Sequence, residues 1–515
     1  MSTLPRSEIL CQEFNILYVT NLSSYPFVRD KVQMIPYIMA KSHLALPVDE
    51  KEDVLIVALE NPLDLESLEE IRCHTGKKIR EICAPQQALE AAIEQCYHQK
   101  EDAASALIAT LKENSSEGAI ETEGYDLLAQ TADSPVIRLL NMVMAEAIGQ
   151  GASDIHFEPS EQGLVIRYRI DGVLQLRHVP PKELQPQLLT RIKVLARLDI
   201  AEQRLPQDGR IKLKIGGREI DFRVSTIPVV FGERVVLRIL DKSNIVLGLD
   251  RLGMPPNVLE KFNKLIQLSE GIIFVTGPTG SGKTTTLYSA INDVNSPEVN
   301  IMTIEDPVEY KLQNMAQVGV NPKINLDFAR GLRHILRQDP DIIMIGEIRD
   351  KETAEIAIQA SLTGHLVLST LHTNDAPSAL TRLVEMGTEA YLLSSTVVGV
   401  LAQRLVRTIC SHCKESYLPT QLECKELGIE VAHPFYRGRG CSNCFDLGYK
   451  GRHGIYELMV MNHPVKQQIL KSGDAVELRE VALEHGMVPL RTAGTELVLN
   501  GVTTAAEVLR VTRGC

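Results

Sequence analysis

The chain has 515 residues, a net charge of −12 at neutral pH, no tryptophan and 4% aromatic residues. At roughly one domain per 150 residues it divides into three or four domains. The acidic balance and the scarcity of stacking side chains exclude a general nucleic-acid binder, so no nucleic-acid partner is expected.

The opening "MSTLPRSEILCQEF" lacks a basic stretch followed by an apolar core, and no run of about 18 apolar residues occurs, so a cytoplasmic protein with no direct membrane span is expected. Residues 1–98 combine the strand-like "VLIVALE" with helical stretches such as "QQALEAAIEQCY", and read as a small N-terminal α/β domain. Residues 99–125 are polar and acidic and read as a linker.

Residues 126–243 open on the amphipathic "SPVIRLLNMVMAEAIGQG", closed by Gly149 and Gly151. Alternating segments "LVIRYRI", "IKLKI", "EIDFRVSTI" and "RVVLRIL" follow, with Gly216-Gly217 as a hairpin turn, and predict an antiparallel sheet of an α+β domain. Alternation places Arg167 and Arg169 on one side of their strand, and Arg210, Arg223, Arg234 and Arg238 add further guanidinium groups.

Residues 244–405 alternate apolar strands ("GIIFVTG", "NIMTIED", "DIIMIGE", "LVLSTLH") with helical stretches, the pattern of a parallel doubly wound sheet. Here "GPTGSGKTT", Gly277, Pro278, Thr279, Gly280, Ser281, Gly282, Lys283, Thr284 and Thr285, satisfies G-x-x-x-x-G-K-[ST] between a strand and a helix. In such a loop the backbone N–H groups face phosphate, Lys283 reaches the terminal phosphates and the Thr284 hydroxyl ligates magnesium. No guanine-specific N-K-x-D occurs, which points to ATP.

The apolar run Ile342–Ile345 should end in a metal-holding aspartate, but Gly346 stands there and the acid comes one residue late, as Glu347. The neighbouring strand ends in "TIEDPVEY", so Glu305 and Glu347 are expected to converge on the terminal phosphate, one ordering a magnesium-bound water and the other the attacking water. Asp341, at the opposite strand end, reads as structural. His372, at the carboxyl end of "LVLSTLH", is placed to sense the terminal phosphate, in preference to His365.

Residues 406–457 carry Cys410-x-x-Cys413 and Cys441-x-x-Cys444, two knuckles that suit a closed tetrahedral structural zinc, with His412 facing solvent. The other six cysteines lack partners at ligand spacing. Residues 458–515 read as a helical C-terminal region.

"GPTGSGKTTTLY", "TIEDPVEY", "RQDPDIIMIGEIRD" and "GHLVLSTLHTND", with "ASDIHFEP", "RLPQDGRIKLKIGGREIDFRVST" and "LAQRLVRTICSHC", resemble the secretion ATPase superfamily. The fit is nearest to the type II secretion assembly ATPases (GspE family), with the type IV pilus extension ATPases as the alternative. The resemblance implies a RecA-like P-loop core behind a PAS-like second domain, and a homo-hexamer that hydrolyses ATP to drive pseudopilus assembly and export. It implies that arginines of the second domain and of the motor domain bind a neighbour's phosphates, the candidates being Arg210 and Arg223, then Arg333, Arg337 and Arg349. It further implies that the N-terminal domain docks on the cytosolic part of an inner-membrane secretion platform protein, attaching the ATPase peripherally to that membrane. Some relatives bind a cyclic dinucleotide there through R-L-G, which here reads Lys41-Ser42-His43. A nucleic-acid motor and a nucleotide-gated adaptor without turnover are the rival readings, the second opposed by the presence of both Glu305 and Glu347.

Overall fold

In the computed structural model, residues 134–514 are described except 216–217, 242–247 and 430–432, together with 43–93 except 52–53, 62–63, 87 and 91, and isolated positions between 11 and 40. The linker call on 99–125, the turn Gly216-Gly217 and the pair Lys41-Ser42 lie outside them. The chain forms two compact units, 1–244 and 245–515. No helix among the described residues is long and apolar enough to cross a membrane.

In the first unit, β1 (Leu46–Lys51) pairs antiparallel with β2 (Val54–Leu59), and α1 (Leu65–Thr75) crosses over to β3 (Lys78–Cys83), parallel to β2. Asp64 caps α1 by accepting the Ser67 N–H at 3.2 Å, and Gly76 ends it in the left-handed conformation that glycine adopts without strain. His43 is engaged on both ring nitrogens, by Ser67 Oγ at 2.7 Å and by Glu70 Oε2 at 2.9 Å.

The same unit holds α2 (Pro135–Gly149), β4 (Ala152–Ser160), β5 (Gly163–Ile170), β6 (Val173–His178), α3 (Gln185–Ala196), β7 (Gln207–Ile215), β8 (Arg218–Val229) and β9 (Gly232–Asp241). The six strands form one antiparallel sheet in the order β6-β5-β4-β9-β8-β7. One face packs Phe157, Tyr168, Phe222 and Leu237 with α2 and α3, as period-two alternation requires. On the other face Arg169, Asp154, Arg238, Arg223 and Arg210 are successive cross-strand partners from β5 to β7.

The second unit begins with α4 (Pro256–Ile266), β10 (Gly271–Thr276), α5 (Lys283–Asp293), β11 (Ile301–Glu305), β12 (Ala316–Gly319), α6 (Phe328–Ile335), β13 (Ile342–Ile345), α7 (Lys351–Leu362), β14 (Leu366–Leu371), α8 (Ala376–Glu385), α9 (Ala390–Thr396) and β15 (Val397–Ile409). It continues through β16 (Lys414–Tyr417), α10 (Gln421–Leu427), β17 (Phe435–Gly438), β18 (Tyr449–Val460), α11 (His463–Lys471), α12 (Ala475–Glu484), α13 (Leu490–Leu499) and α14 (Ala505–Val511). The sheet order is β12-β11-β13-β14-β10-β15-β18, parallel throughout except for β15 against β18. Strands β10, β11, β13 and β14 are buried along their whole length, which is why they read as continuous apolar runs. Their carboxyl ends share one edge, where an open parallel sheet binds ligands.

Candidate nucleotide site and cysteine cluster

The loop 277–282 leaves β10 and enters α5 at Lys283. Gly277 and Gly282 have φ of +148° and +90°, and a side chain at either would collide with β15: a Cβ on Gly277 would lie 2.4 Å from Gln403 O, one on Gly282 2.8 Å from Gln403 Nε2. The glycines therefore allow the loop to lie against Gln403, which is buried and accepts Thr286 Oγ1 at 2.7 Å. Pro278, Thr279, Gly280, Thr284 and Thr285 are exposed. The buried Ser281 Oγ has no hydrogen-bond partner among the described residues, a donor left for an incoming anion. Lys283 Nζ donates to Gly277 O at 2.8 Å and Pro278 O at 3.1 Å. Burial lowers its pKa to about 8, against the opposing pull of the Glu347 charge.

Gly346 N donates to Ile304 O at 2.8 Å, and a Cβ at 346 would stand 3.3 Å from that same oxygen and 3.4 Å from Glu305 Cα. The strand is too close to its neighbour to carry a side chain comfortably at this point, so the acid is displaced to Glu347. Glu347 Oε1 accepts Arg349 Nη2 at 2.5 Å and Oε2 lies 3.4 Å from His372 Nε2. His372 is brought there because Thr276, at the end of β10, pairs with Thr373 hydroxyl to hydroxyl at 2.7 Å and donates to Leu371 O at 3.1 Å. Burial, helped by Lys283, holds the His372 pKa below its ordinary value, with Glu347 opposing. Lys283, Glu347, Arg349 and His372 thus form one group at the sheet edge.

Glu305 belongs to a different group. It is buried, and its carboxylate accepts hydrogen bonds from Tyr288 Oη, Thr303 Oγ1 (2.7 Å) and Gln317 Nε2 (3.1 Å). The expected convergence of Glu305 and Glu347 is therefore limited to neighbouring strand ends, Ile304 pairing with Ile345, with each carboxylate turned to its own partners. Exposed Arg333 lies on α6 and pairs with Glu352 at 2.5 Å, while Arg337 contacts Arg333 O at 2.8 Å and His334 Nδ1 at 2.6 Å. Asp341 accepts the Asn300 N–H at 2.7 Å, and His365 bonds Ala360 O at 2.7 Å.

In the first unit, Asp154 holds Arg238 at 3.1 Å and Arg169 at 3.7 Å, and Glu158 holds Arg167 and Arg234 at 2.6 Å each. Arg223 and exposed Arg210 continue this row on β8 and the edge strand β7.

The four thiols converge. Their sulfurs lie within 4.8 Å of one another, with Cys410–Cys441 at 3.9 Å, Cys413–Cys444 at 3.8 Å and Cys441–Cys444 at 3.7 Å. Tetrahedral thiolates about 2.3 Å from one ion stand about 3.8 Å apart, so the cluster fits a metal. Burial raises the Cys444 thiol, but N–H groups of Cys441 and Gly448 at 3.3 and 3.2 Å bring it down to about 7, whereas burial holds the Cys413 and Cys441 thiols above their ordinary value. His412 is exposed beside the first knuckle.

Residues 129–510 match the model of the Type II/IV secretion system protein family, and residues 17–103 that of the MshEN domain. The chain belongs to the type II/IV secretion system protein family. Among the relatives of this secretion family, Type II secretion system protein E of Pseudomonas aeruginosa is 49% identical over 90% of this chain and 93% of its own length. The type IV pilus assembly ATPase PilB of Myxococcus xanthus is 42% identical over 98% of this chain and 90% of its own. The fold is similar to that of the Legionella pneumophila ATPase DotB, with a TM-score of 0.55 at 20% identity, covering 77% of this chain and 98% of that one. This member of the family is a P-loop ATPase with a four-cysteine cluster able to hold a metal.

The sequence reading passed over Tyr288, Gln403 and Arg404. Arg404 is buried on β15 and donates to Asn374 O at 2.8 Å and Val511 O at 3.2 Å. The signal for both β15 residues was present: a glutamine and an arginine interrupting the apolar "VLAQRLV" must meet polar partners if that strand is buried.

Proposed function

We propose that the chain is the ATPase of a type II secretion machine, a cytoplasmic homo-hexamer that turns ATP hydrolysis into pseudopilus assembly and protein export. The observation that carries the chemistry is Glu347, beside His372 and within electrostatic reach of Lys283 at the edge where the phosphate loop opens. In this scheme the loop 277–285, through its backbone N–H groups other than at Pro278, and Lys283 bind the phosphates. Thr284 offers its hydroxyl to magnesium, which when bound neutralises phosphate charge. Glu347 orients the attacking water, Glu305 supports the metal-bound waters and His372 reports the terminal phosphate. Arg210 and Arg223 of the second domain and Arg333, Arg337 and Arg349 of the motor domain are lent to a neighbouring protomer's nucleotide, making turnover depend on assembly. The four cysteines hold a structural zinc, which leaves no position for catalysis.

Docking of the N-terminal domain on a cytosolic domain of an inner-membrane platform protein would attach the ring to the membrane. The long-range identity to a type II protein E supports this machine. The comparable coverage of PilB supports pilus extension as the second reading. Identification of the membrane protein that copurifies with the full-length chain decides between them: a pilus platform protein in place of a secretion platform protein would reject the first.

A further inference from the structure

The catalytic scheme leaves Tyr288 without a task. It lies on α5 one turn beyond Thr284, on the same face, and is 1% exposed. Its hydroxyl donates to Glu305 Oε2 and accepts the Glu309 N–H at 3.4 Å, and its ring meets Tyr310 edge-on with centroids 6.1 Å apart. On the other carboxylate oxygen, Thr303 Oγ1 and Gln317 Nε2 donate at 2.7 and 3.1 Å. Gln317 is itself fixed by Tyr310 O at 2.9 Å and Leu312 N at 2.7 Å. A carboxyl group this deeply buried needs such donors in place of water. Thr303 and Gln317 both belong to the sheet, whereas Tyr288 is on the helix that begins with Lys283 and Thr284.

We propose that Tyr288 is a positioning residue for Glu305: its hydroxyl ties the carboxylate to the phosphate-loop helix, so that the acid moves with the groups that seat the phosphates. The proposal rests on the role given to Glu305 above. Burial, and after it the hydrogen bond to Glu305, push the phenol far above its ordinary pKa, so Tyr288 remains the proton donor of the pair. A hydrogen bond between two elements with different attachments transmits small shifts of the helix to the acid, which neither sheet donor can do.

The test is a double-mutant cycle on ATP hydrolysis by the full-length chain. Tyr288→Phe removes one oxygen and should lower kcat about tenfold to a hundredfold, the loss of one hydrogen bond to a charged group, while KM for ATP stays within about twofold. In a Glu305→Gln background the same change should lower kcat by less than about twofold, because Tyr288 acts through Glu305. Wild-type kcat in Y288F, or losses that multiply in the double variant, would overturn the proposal. Full turnover in E305Q would dismiss instead the role of Glu305 on which it rests. If Y288F does not fold, 3-fluorotyrosine at 288 preserves the contact, and its fluorine resonance should shift between the Glu305 and E305Q chains; an unmoved resonance overturns the proposal.

Discussion

Arg349 closes on Glu347, guanidinium to carboxylate at 2.5 Å, while the other carboxylate oxygen faces His372 at 3.4 Å. Glu347 is thus held by two residues from different loops, next to a lysine whose charge it supports. An acid placed this way is suited to orient water, and its removal should spare binding. Glu347→Gln should bind ATP within about threefold of wild type and lose turnover by about 10²-fold or more, as measured by nucleotide binding and phosphate release. Unchanged phosphate release would remove the assignment.

Arg210 is exposed on the edge strand β7, beyond the arginines that Asp154 and Glu158 retain. If it serves a neighbour's nucleotide, Arg210→Ala and Glu347→Gln subunits should each be inactive alone and recover part of the turnover when mixed, since some composite sites then contain both wild-type groups. A lent arginine contributes about 10³-fold or more to kcat. Absence of any recovery in verified mixed assemblies would count against sharing between protomers.

The cysteine cluster makes a prediction about metal. The purified chain should carry about one zinc, and Cys410→Ser should lose it, because three thiolates no longer close a tetrahedral site. ATP binding should persist, since the phosphate loop draws none of its contacts from the knuckles. Atomic absorption and a nucleotide titration on the same sample check both halves. Full metal content in C410S would contradict the assignment.

Glu507 predicts a pH dependence. It is buried, and Arg407 and Arg510 reach it at 2.7 and 2.8 Å. Burial alone would raise its pKa, but hydrogen bonds from Arg510 and Arg407 hold it at about 2. Because the folded value lies below the unfolded one, its stabilisation is complete above the ordinary carboxylate range and is lost as pH falls from there toward about 2. Glu507→Gln should cost about 3 kcal/mol at neutral pH and flatten the acid limb of stability, read from denaturant midpoints across pH. An unchanged midpoint at neutral pH would show the pairs to be dispensable.

The nucleotide sheet was legible because fully buried parallel strands are written as unbroken apolar runs, and the phosphate loop because its glycines are demanded by geometry around Gln403. Gly346 was legible as an anomaly but not as a cause: its reason is the nearness of Ile304 O across the sheet, which no local pattern encodes. The same holds for Tyr288. On a helix an aromatic at this spacing reads as core, and the partner that gives it meaning stands 17 residues away. The arginine-rich strands showed alternation but not register, so the row from Arg169 to Arg210 emerged only when the strand order was known.

Strand β15 reaches further than its place in the sheet suggests. Gln403 lies under the phosphate loop, Arg404 secures the segment after His372, Arg407 meets Glu507, and Cys410 follows directly on the strand's end. From Gln403 to Cys410 an extended backbone spans about 23 Å at roughly 3.3 Å per residue. Along this stretch the strand is paired with β18 alone, since its pairing with β10 ends at Ala402. These eight residues therefore join the phosphate-binding edge to the cysteine knuckles through one short run of extended chain, a direct covalent route between the nucleotide pocket and the metal module.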